Sequence, residues 1–453
     1  MSSDLKSVLD SYASATKNAR KTIDAIIDAN SFVEFDALMG GVNELGEVKG
    51  EGVLCGLASV GENDVALFAT NSEVFGGGIS KRGAEKIARL VNRAIDADLP
   101  LVSVIDTAGA RVLEGVDALY GYGLIMDVFA KAYGRIPVIT VVKGKNYGML
   151  TYLAGLSDLF VAYDKAQIAT ASPLLVSASA DGKDYSDAKV HYTSSGAVTN
   201  MVANDAELKD LLVKTLGAIS DVITLPADDA NRVCKGLSAD SDVKAVLAEA
   251  FDAGSVIELR AGYVPSVVTA IAKLNGVTVG VVGVDGKLTA KGSAKITDFL
   301  NTASNLGLPV INLVSSTGIV VDAKQETCCL IRNVSDLVYA YANIDVPKVA
   351  LVCGGAVGAT YSVLASKTAF DYTMAWDSAS ITPLESSAAA RLLYGEEIAK
   401  AKEQDKAEAK FAKEYADDNS ALLAAEKGYV DTVLVPNHSR QYLIAALQTL
   451  VKR

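Results

Sequence analysis

One segment of this chain is written twice. Lys86–Gly109, KIARLVNRAIDADLPLVSVIDTAG, returns as Lys295–Gly318, KITDFLNTASNLGLPVINLVSSTG, displaced by 209 residues at both ends. Each copy reads as an amphipathic helix, a Leu-Pro break, a buried apolar strand and a turn that closes on glycine. Solenoid repeats run about 20–50 residues, so this spacing is not theirs. It describes two fused half-chains, and any site has to be sought once in each half.

The rest of the chain keeps the same order. Asp28–Phe35 (DANSFVEF) is echoed by Asp252–Leu259 (DAGSVIEL), Gly148 by Gly358 and Asp158 by Asp371. The small drift in spacing is what insertions in surface loops produce. Residues 1–30 carry apolar positions at helical spacing and predict one amphipathic helix. A helix is expected from near Arg82, another after Gly115, and helices at MLTYLAGLS (Met149–Ser157) and TYSVLASK (Thr360–Lys367). The charged run Gly395–Asn419 predicts a solvated helix. The polar stretch Leu225–Ala230 is the expected linker, giving domains of residues 1–226 and 227–453.

Composition excludes several function classes. Of 453 residues, half are apolar and 21% charged, with a net charge of −12 and no dense basic cluster. Nucleic acid and anionic membranes are poor partners for such a surface. No apolar run reaches the roughly 18 residues of a membrane span, and the first residues lack a signal-peptide core, so the expectation is a soluble, cytoplasmic protein. The five cysteines have no CxxC spacing and read as reduced, mostly buried thiols. With only His191 and His438, a Ser-His-Asp machine or a histidine metal cluster is starved of parts, and no metal is expected. The chemistry has to lean on backbone groups or on the substrate.

Each half has two glycine-rich strand-to-helix junctions: Thr107–Gly109 and Gly144–Gly148, then Thr317-Gly318 and Gly354–Thr360. Free N–H groups at the start of a helix can hold an oxyanion, although tight turns need glycine for steric reasons alone. Phe75-Gly76-Gly77-Gly78 lacks a phosphate-loop spacing; it brings backbone close to a ligand or to another strand. Lys81, Arg82 and Lys86 read either as donors to ligand phosphates or as a surface helix face.

At these residues the chain resembles the carboxyltransferase family of biotin-dependent acyl-CoA carboxylases, of the propionyl-CoA carboxylase beta-subunit type, and the related decarboxylase alpha subunits. The segments that carry the resemblance are Ser31–Asp36, Val74–Ser80 (VFGGGIS), Ala108–Gly115 (AGARVLEG), Thr151–Leu159, Leu274–Gly283, Val346–Val352, Tyr361–Lys367 and Gly428–Pro436. It spans about residues 20–450. The resemblance implies an α/β fold of two tandem crotonase-like (ClpP/crotonase spiral) domains related by internal duplication. It implies an acyl-CoA on the N-terminal domain, biotin on the C-terminal domain, and an active site at a dimer interface in a homo- or hetero-oligomer. Carboxyl transfer would run between carboxybiotin and a short-chain acyl-CoA, with the thioester enolate and the biotin anion held in backbone oxyanion holes.

By the same resemblance Gly148 and Met149 map to the thioester turn, and Gly358, Ala359 and Thr360 to the biotin ureido oxygen. Gly76, Gly77, Gly78, Ala108, Gly109, Ala110, Arg111 and Ser362 map to the substrate-binding surface. Biotin would arrive on a separate carrier protein, with a biotin carboxylase or membrane decarboxylase subunits as further partners. Three departures stand out. Asn146-Tyr147-Gly148-Met149 replaces a turn with two successive glycines, Ser315–Asp322 stands where the family has its biotin loop, and Ser362 replaces an aspartate. The alternatives are a non-catalytic or repurposed partner subunit in a heteromeric acyl-CoA carboxylase, a decarboxylase alpha subunit, or another CoA reaction such as hydration or hydrolysis. The last would need Glu114 as a catalytic carboxylate, a residue that otherwise serves to hold its turn through backbone N–H groups.

Overall fold

Apolar runs bounded by glycine and proline become the central strands, buried along most of their length as strands covered on both faces must be. The computed structural model describes residues 3–43, 46–172, 175 and 185–451. The chain divides into two compact units, Met1–Ser220 and Asp221–Arg453. The first contains β1 (Val33–Phe35), a small hairpin β2 (Gly41–Asn43) and β3 (Gly46–Val48), β4 (Val53–Val60), β5 (Asn63–Thr70), β6 (Leu101–Thr107), β7 (Val138–Tyr147), β8 (Leu159–Tyr163), β9 (Gln167–Ala169) and β10 (Asn200–Val202). The second contains β11 (Ile257–Leu259), β12 (Val267–Leu274), β13 (Val277–Leu288), β14 (Val310–Ile319), β15 (Lys348–Val357), β16 (Tyr372–Trp376), β17 (Ser380–Thr382) and β18 (Thr432–Leu434).

The two main sheets have one topology. The first runs β1-β4-β5-β6-β7-β8-β10 with β9 also on β7; the second runs β11-β12-β13-β14-β15-β16-β18 with β17 also on β15. The first three strands of each are antiparallel and the rest parallel. This is the tandem duplication that the repeat predicts, strand for strand.

Repeated residues do repeated jobs. Asp28 accepts from the N–H groups of Gly61 (3.2 Å) and Glu62 (2.9 Å), and Asp252 from those of Asn275 (3.0 Å) and Gly276 (2.9 Å). Each carboxylate thus closes the tight hairpin between its first two long strands. Asp158 accepts from Val138 N–H at 2.9 Å, and Asp371 from Lys348 N–H at 2.7 Å, so each pins the first residue of β7 or β15. The closing helices are anchored alike: Tyr163 OH donates to Asp205 at 2.5 Å, and Trp376 Nε1 to Ser439 Oγ at 2.9 Å.

Three local expectations are corrected. Residues 1–30 form two helices, Ser3–Ala15 and Lys17–Asp24. The break is at Thr16, whose backbone leaves the helical range (φ −111°, ψ 6°) while its N–H and its hydroxyl both donate to Tyr12 O, at 3.0 and 2.9 Å. The segment at Met149–Gly155 is a 3₁₀ turn, not an α-helix. The charged run lies in two helices, Ser386–Lys400 and Gln404–Asp417, joined by the Arg391–Glu408 ion pair and a stack of Tyr394 on Phe411 at 4.4 Å. The stretch Leu225–Ala230 lies inside the second unit, just after Thr224, whose N–H donates to Gly276 O at 2.8 Å. No helix among the described residues is long and apolar enough to cross a membrane.

Candidate functional site

In the first unit the segments singled out by the sequence meet at the C-terminal ends of β6 and β7. Phe75–Gly77 forms a 3₁₀ turn pressed against β6. A Cβ on Gly77 would sit 1.9 Å from Asp106 O, so only glycine lets this turn touch the strand. Of the two readings of the glycine run, contact with another strand is what Gly77 shows. Next to it, Gly76 O accepts from Ala108 N–H at 2.8 Å, and Ile79 bridges Ala110. Gly109 then passes over Tyr147, where an added Cβ would lie 3.2 Å from the Tyr147 carbonyl oxygen. Gly76–Gly78, Ala108–Ala110, Gly148 and Met149 therefore pack into one region, in which Gly77, Gly78 and Gly109 are buried and Gly76 and Ala108 are exposed.

Arg111 faces the interior. Its Nε donates to Gly78 O at 2.8 Å, its Nη1 to Glu51 at 3.0 Å and Glu114 at 3.2 Å, and its Nη2 to Glu51 O at 3.0 Å. Where the resemblance places it at the substrate surface, the side chain is committed within the protein. It ties the Gly78 turn to the motif AGAR and thereby shapes the surface. Glu114 also accepts from Lys81 N–H at 3.3 Å, which is the holding role expected of it rather than that of a free carboxylate. Gln325 does the same in the second unit, accepting from Ala290 N–H at 2.8 Å. Lys86 is corrected from a phosphate donor or surface residue: it is fully buried, donating to Gly50 O (3.0 Å) and Val53 O (2.6 Å). Arg82 donates to Gly40 O at 2.6 Å, and Lys81 pairs with Asp117 at 3.5 Å.

The two key turns match in detail. Gly148 has φ 82° and ψ −144°, and Gly358 has φ 60° and ψ −133°, a mirror-β conformation open to glycine. Each glycine spends its own N–H on the neighbouring short strand, Gly148 on Ala169 O at 2.9 Å and Gly358 on Thr382 O at 2.8 Å. Each glycine carbonyl accepts from the third residue on, Thr151 at 3.1 Å and Tyr361 at 3.2 Å. As the first N–H groups of their helical segments, those of Met149 and Leu150, and of Ala359 and Thr360, have no intrahelical partner. The Thr360 hydroxyl is turned inward onto Val357 O at 2.7 Å, whereas Ala359 and Ser362 are exposed. The exposed end of each turn can accept an oxygen of a bound group.

Ser315–Asp322 is the end of β14 and a helix cap. Gly318 repeats Gly109 with the same φ of 108°, held by Ser316 Oγ at 3.3 Å as Gly109 is held by Thr107 Oγ1 at 3.1 Å. Asp322 caps Ala323–Thr327 through Gln325 N–H at 2.7 Å.

His191 bonds Ile168 O (2.9 Å) and Ser195 Oγ (3.1 Å), a structural arrangement. Cys55, Cys234 and Cys353 are buried, and burial pushes the Cys55 thiol up to about 12; Cys328 and Cys329 are exposed, against the expectation of mostly buried thiols for that pair. Sequence reasoning misses the inward course of Arg111. It also assigned the Gly148 and Gly358 N–H groups to a ligand; the partners that take them, Ala169 and Thr382, come from strands whose pairing no local pattern announces.

Residues 10–453 match the carboxyl transferase domain family model. The chain belongs to this family. It is 29% identical to the propionyl-CoA carboxylase beta chain of Saccharopolyspora erythraea, over 99% of this chain and 90% of that one. It is 28% identical to the methylmalonyl-CoA decarboxylase alpha subunit of Veillonella parvula, over 99% and 92%. Among solved structures it superimposes on transcarboxylase 12S with a TM-score of 0.89 at 25% identity, covering 98% of this chain and 92% of that one. That protein is described as a hexamer with methylmalonyl-coenzyme A bound.

Proposed function

We propose that this chain is the carboxyltransferase subunit of a biotin-dependent acyl-CoA carboxylase or decarboxylase, moving a carboxyl group between biotin on a separate carrier and a short-chain acyl-CoA. The observation that carries this reading is the family match over residues 10–453, together with two equivalent glycine turns, one per unit, each opening a helical segment.

In this reading the first unit takes the acyl-CoA. The N–H of Met149, with Leu150 behind it, polarises the thioester carbonyl and stabilises the enolate oxygen as charge develops there. Gly148 supports that donor by giving its own N–H to Ala169. The surface built from Gly76–Gly78 and Ala108–Ala110, held from below by Arg111, receives the CoA. In the second unit the N–H groups of Ala359 and Thr360 meet the ureido oxygen, beside exposed Ser362. Bound biotin supplies a carboxyl carrier whose ring nitrogen serves as the base once that carboxyl has left. A protein base is then unnecessary, in keeping with a structural His191 and a committed Glu114.

We place the active site at an interface between two copies, or between this chain and a partner subunit. The first unit exposes Val112 (85%), Leu113 (77%) and Val116 (77%) immediately after the AGAR turn, an apolar surface that favours a covered state. If the chain serves as a decarboxylase alpha subunit, the same two turns would serve transfer from the acyl-CoA to biotin.

The test separates the two turns. Gly148→Ala and Gly358→Ala each force a side chain onto a mirror-β backbone. Displacing an oxyanion donor costs about 10²–10³ in kcat. The first substitution is expected to disturb the dependence on acyl-CoA and the second the dependence on biotin. Indistinguishable effects on both substrates would remove the assignment.

A further inference from the structure

Asn146 is fully buried on β7, two residues before Gly148. Its Nδ2 donates to Leu150 O at 3.3 Å, while its Oδ1 has no hydrogen-bond partner among the described residues. A buried acceptor left unsatisfied costs about 1–3 kcal/mol. The fold does not require this: Ala356 takes the equivalent place in the second unit, where Gly358 follows at the same two-residue distance. The turns that follow also differ. With an amide behind it the first is the 3₁₀ segment Met149–Gly155, and with a methyl group behind it the second is the α-helical Ala359–Leu364. Residues that cost stability without serving the fold mark function.

We propose that Asn146 is a positioning residue of the acyl-CoA half-site, gripping the Leu150 carbonyl so that the Met149 turn keeps the tight geometry in which its leading N–H groups meet the thioester oxygen. The proposal rests on the carboxyltransferase reading for its catalytic part, but the grip on the turn stands on geometry alone. The leading N–H groups of this turn have to stay where the thioester oxygen arrives. An anchored carbonyl one residue later does this without a contact to the ligand. Small misplacements of a reacting group are costly: about 1 Å can cost 10²-fold in rate.

Asn146→Ala removes the grip and the orphaned oxygen together; Asn146→Asp keeps the shape and loses the donor. Two readouts are taken on the full chain. Amide hydrogen exchange, followed by mass spectrometry of peptides, is expected to speed up at least fivefold in Met149–Leu153 for both variants and to stay unchanged in Ala359–Leu364. Carboxyl transfer between an acyl-CoA and biotin is expected to lose ten- to hundredfold in kcat, with KM for biotin unaltered and the melting temperature of Asn146→Ala kept or raised. Unchanged exchange at Met149–Leu153 overturns the proposal whatever the activity. A faster exchange with kcat within twofold of the parent overturns its catalytic part. If the parent chain transfers no carboxyl group yet the exchange responds, the grip stands and the carboxyltransferase reading falls.

Discussion

Lys86 and Lys295 hold one position in two copies of one structure. Each opens its repeat, each is buried, and each points its ammonium at main-chain carbonyls where the first long hairpin strand begins: Val53 O at 2.6 Å and Val267 O at 2.5 Å. Lys295 adds Arg260 O at 2.9 Å and Tyr263 O at 2.7 Å, while Lys86 adds Gly50 O at 3.0 Å. Among the described residues neither cage uses a carboxylate as its direct partner. The lysine answers carbonyls that a loop has carried inside and that would otherwise be orphaned.

Replacing either lysine by methionine fills the same volume and leaves those carbonyls unanswered. Charged hydrogen bonds contribute about 1.5–3 kcal/mol each on removal, so Lys86→Met and Lys295→Met are each expected to cost on the order of 2–4 kcal/mol. Chemical denaturation checks this; Lys295→Met, which empties the larger cage, loses more than Lys86→Met.

The same burial predicts a pH dependence. Burial pushes the Lys295 ammonium from its ordinary 10.5 down to about 7, and Lys86 is moved in the same direction. Between about pH 7 and 10.5 the unfolded chain therefore binds more protons at this residue than the folded one. Stability rises with pH wherever that holds. The Lys295 contribution is accordingly in place above pH 10.5 and lost as pH falls through 7. The measurement is the stability difference between the parent chain and Lys295→Met at several pH values. It is expected to grow from pH 7 to 10, since other titrating groups cancel; a flat difference contradicts the shift.

Two glycines should answer alanine in opposite ways. Gly77→Ala sets a Cβ against Asp106 O in a turn with φ 76°, and is expected to cost several kcal/mol and to displace AGAR. Gly123, in the helix Val116–Ala132, has nothing within 4 Å of an added Cβ. There alanine should be neutral or stabilising by up to about 1 kcal/mol, the helix-propensity difference. Melting temperatures of the two variants check the contrast.

The duplication, the order of strands and the pairing of Asp158 with Asp371 were legible because they are written in sequence spacing and in hydrophobic period. The equivalence of Gly148 and Gly358 was legible for the same reason. What each N–H does was not. The partners Ala169 and Thr382 come from short strands folded back on β7 and β15, and non-local pairing leaves no mark near the glycine. Lys86 reads as surface on a charged helix, since only the tertiary fold shows that loop carbonyls come inside to meet it. Arg111 reads as outward for a related reason: its three hydrogen-bond partners at Glu51, Gly78 and Glu114 are scattered over 63 positions of the chain. The helix break at Thr16 was not legible either, since Thr297 makes the same back-bond to Ser293 O inside the unbroken helix Ala290–Asn305.

The most direct test of the central claim is the movement of one labelled carboxyl group. Malonyl-CoA or methylmalonyl-CoA, labelled in the free carboxyl carbon, is incubated with the chain and either free biotin or a biotinylated carrier. The label should leave the thioester only when biotin is present, and should appear as acid-labile carboxybiotin or released carbon dioxide. Gly148→Ala and Gly358→Ala should each suppress it. If label is lost equally with and without biotin, or from neither thioester under either condition, the assignment of two oxyanion turns to a biotin-dependent carboxyl transfer is wrong.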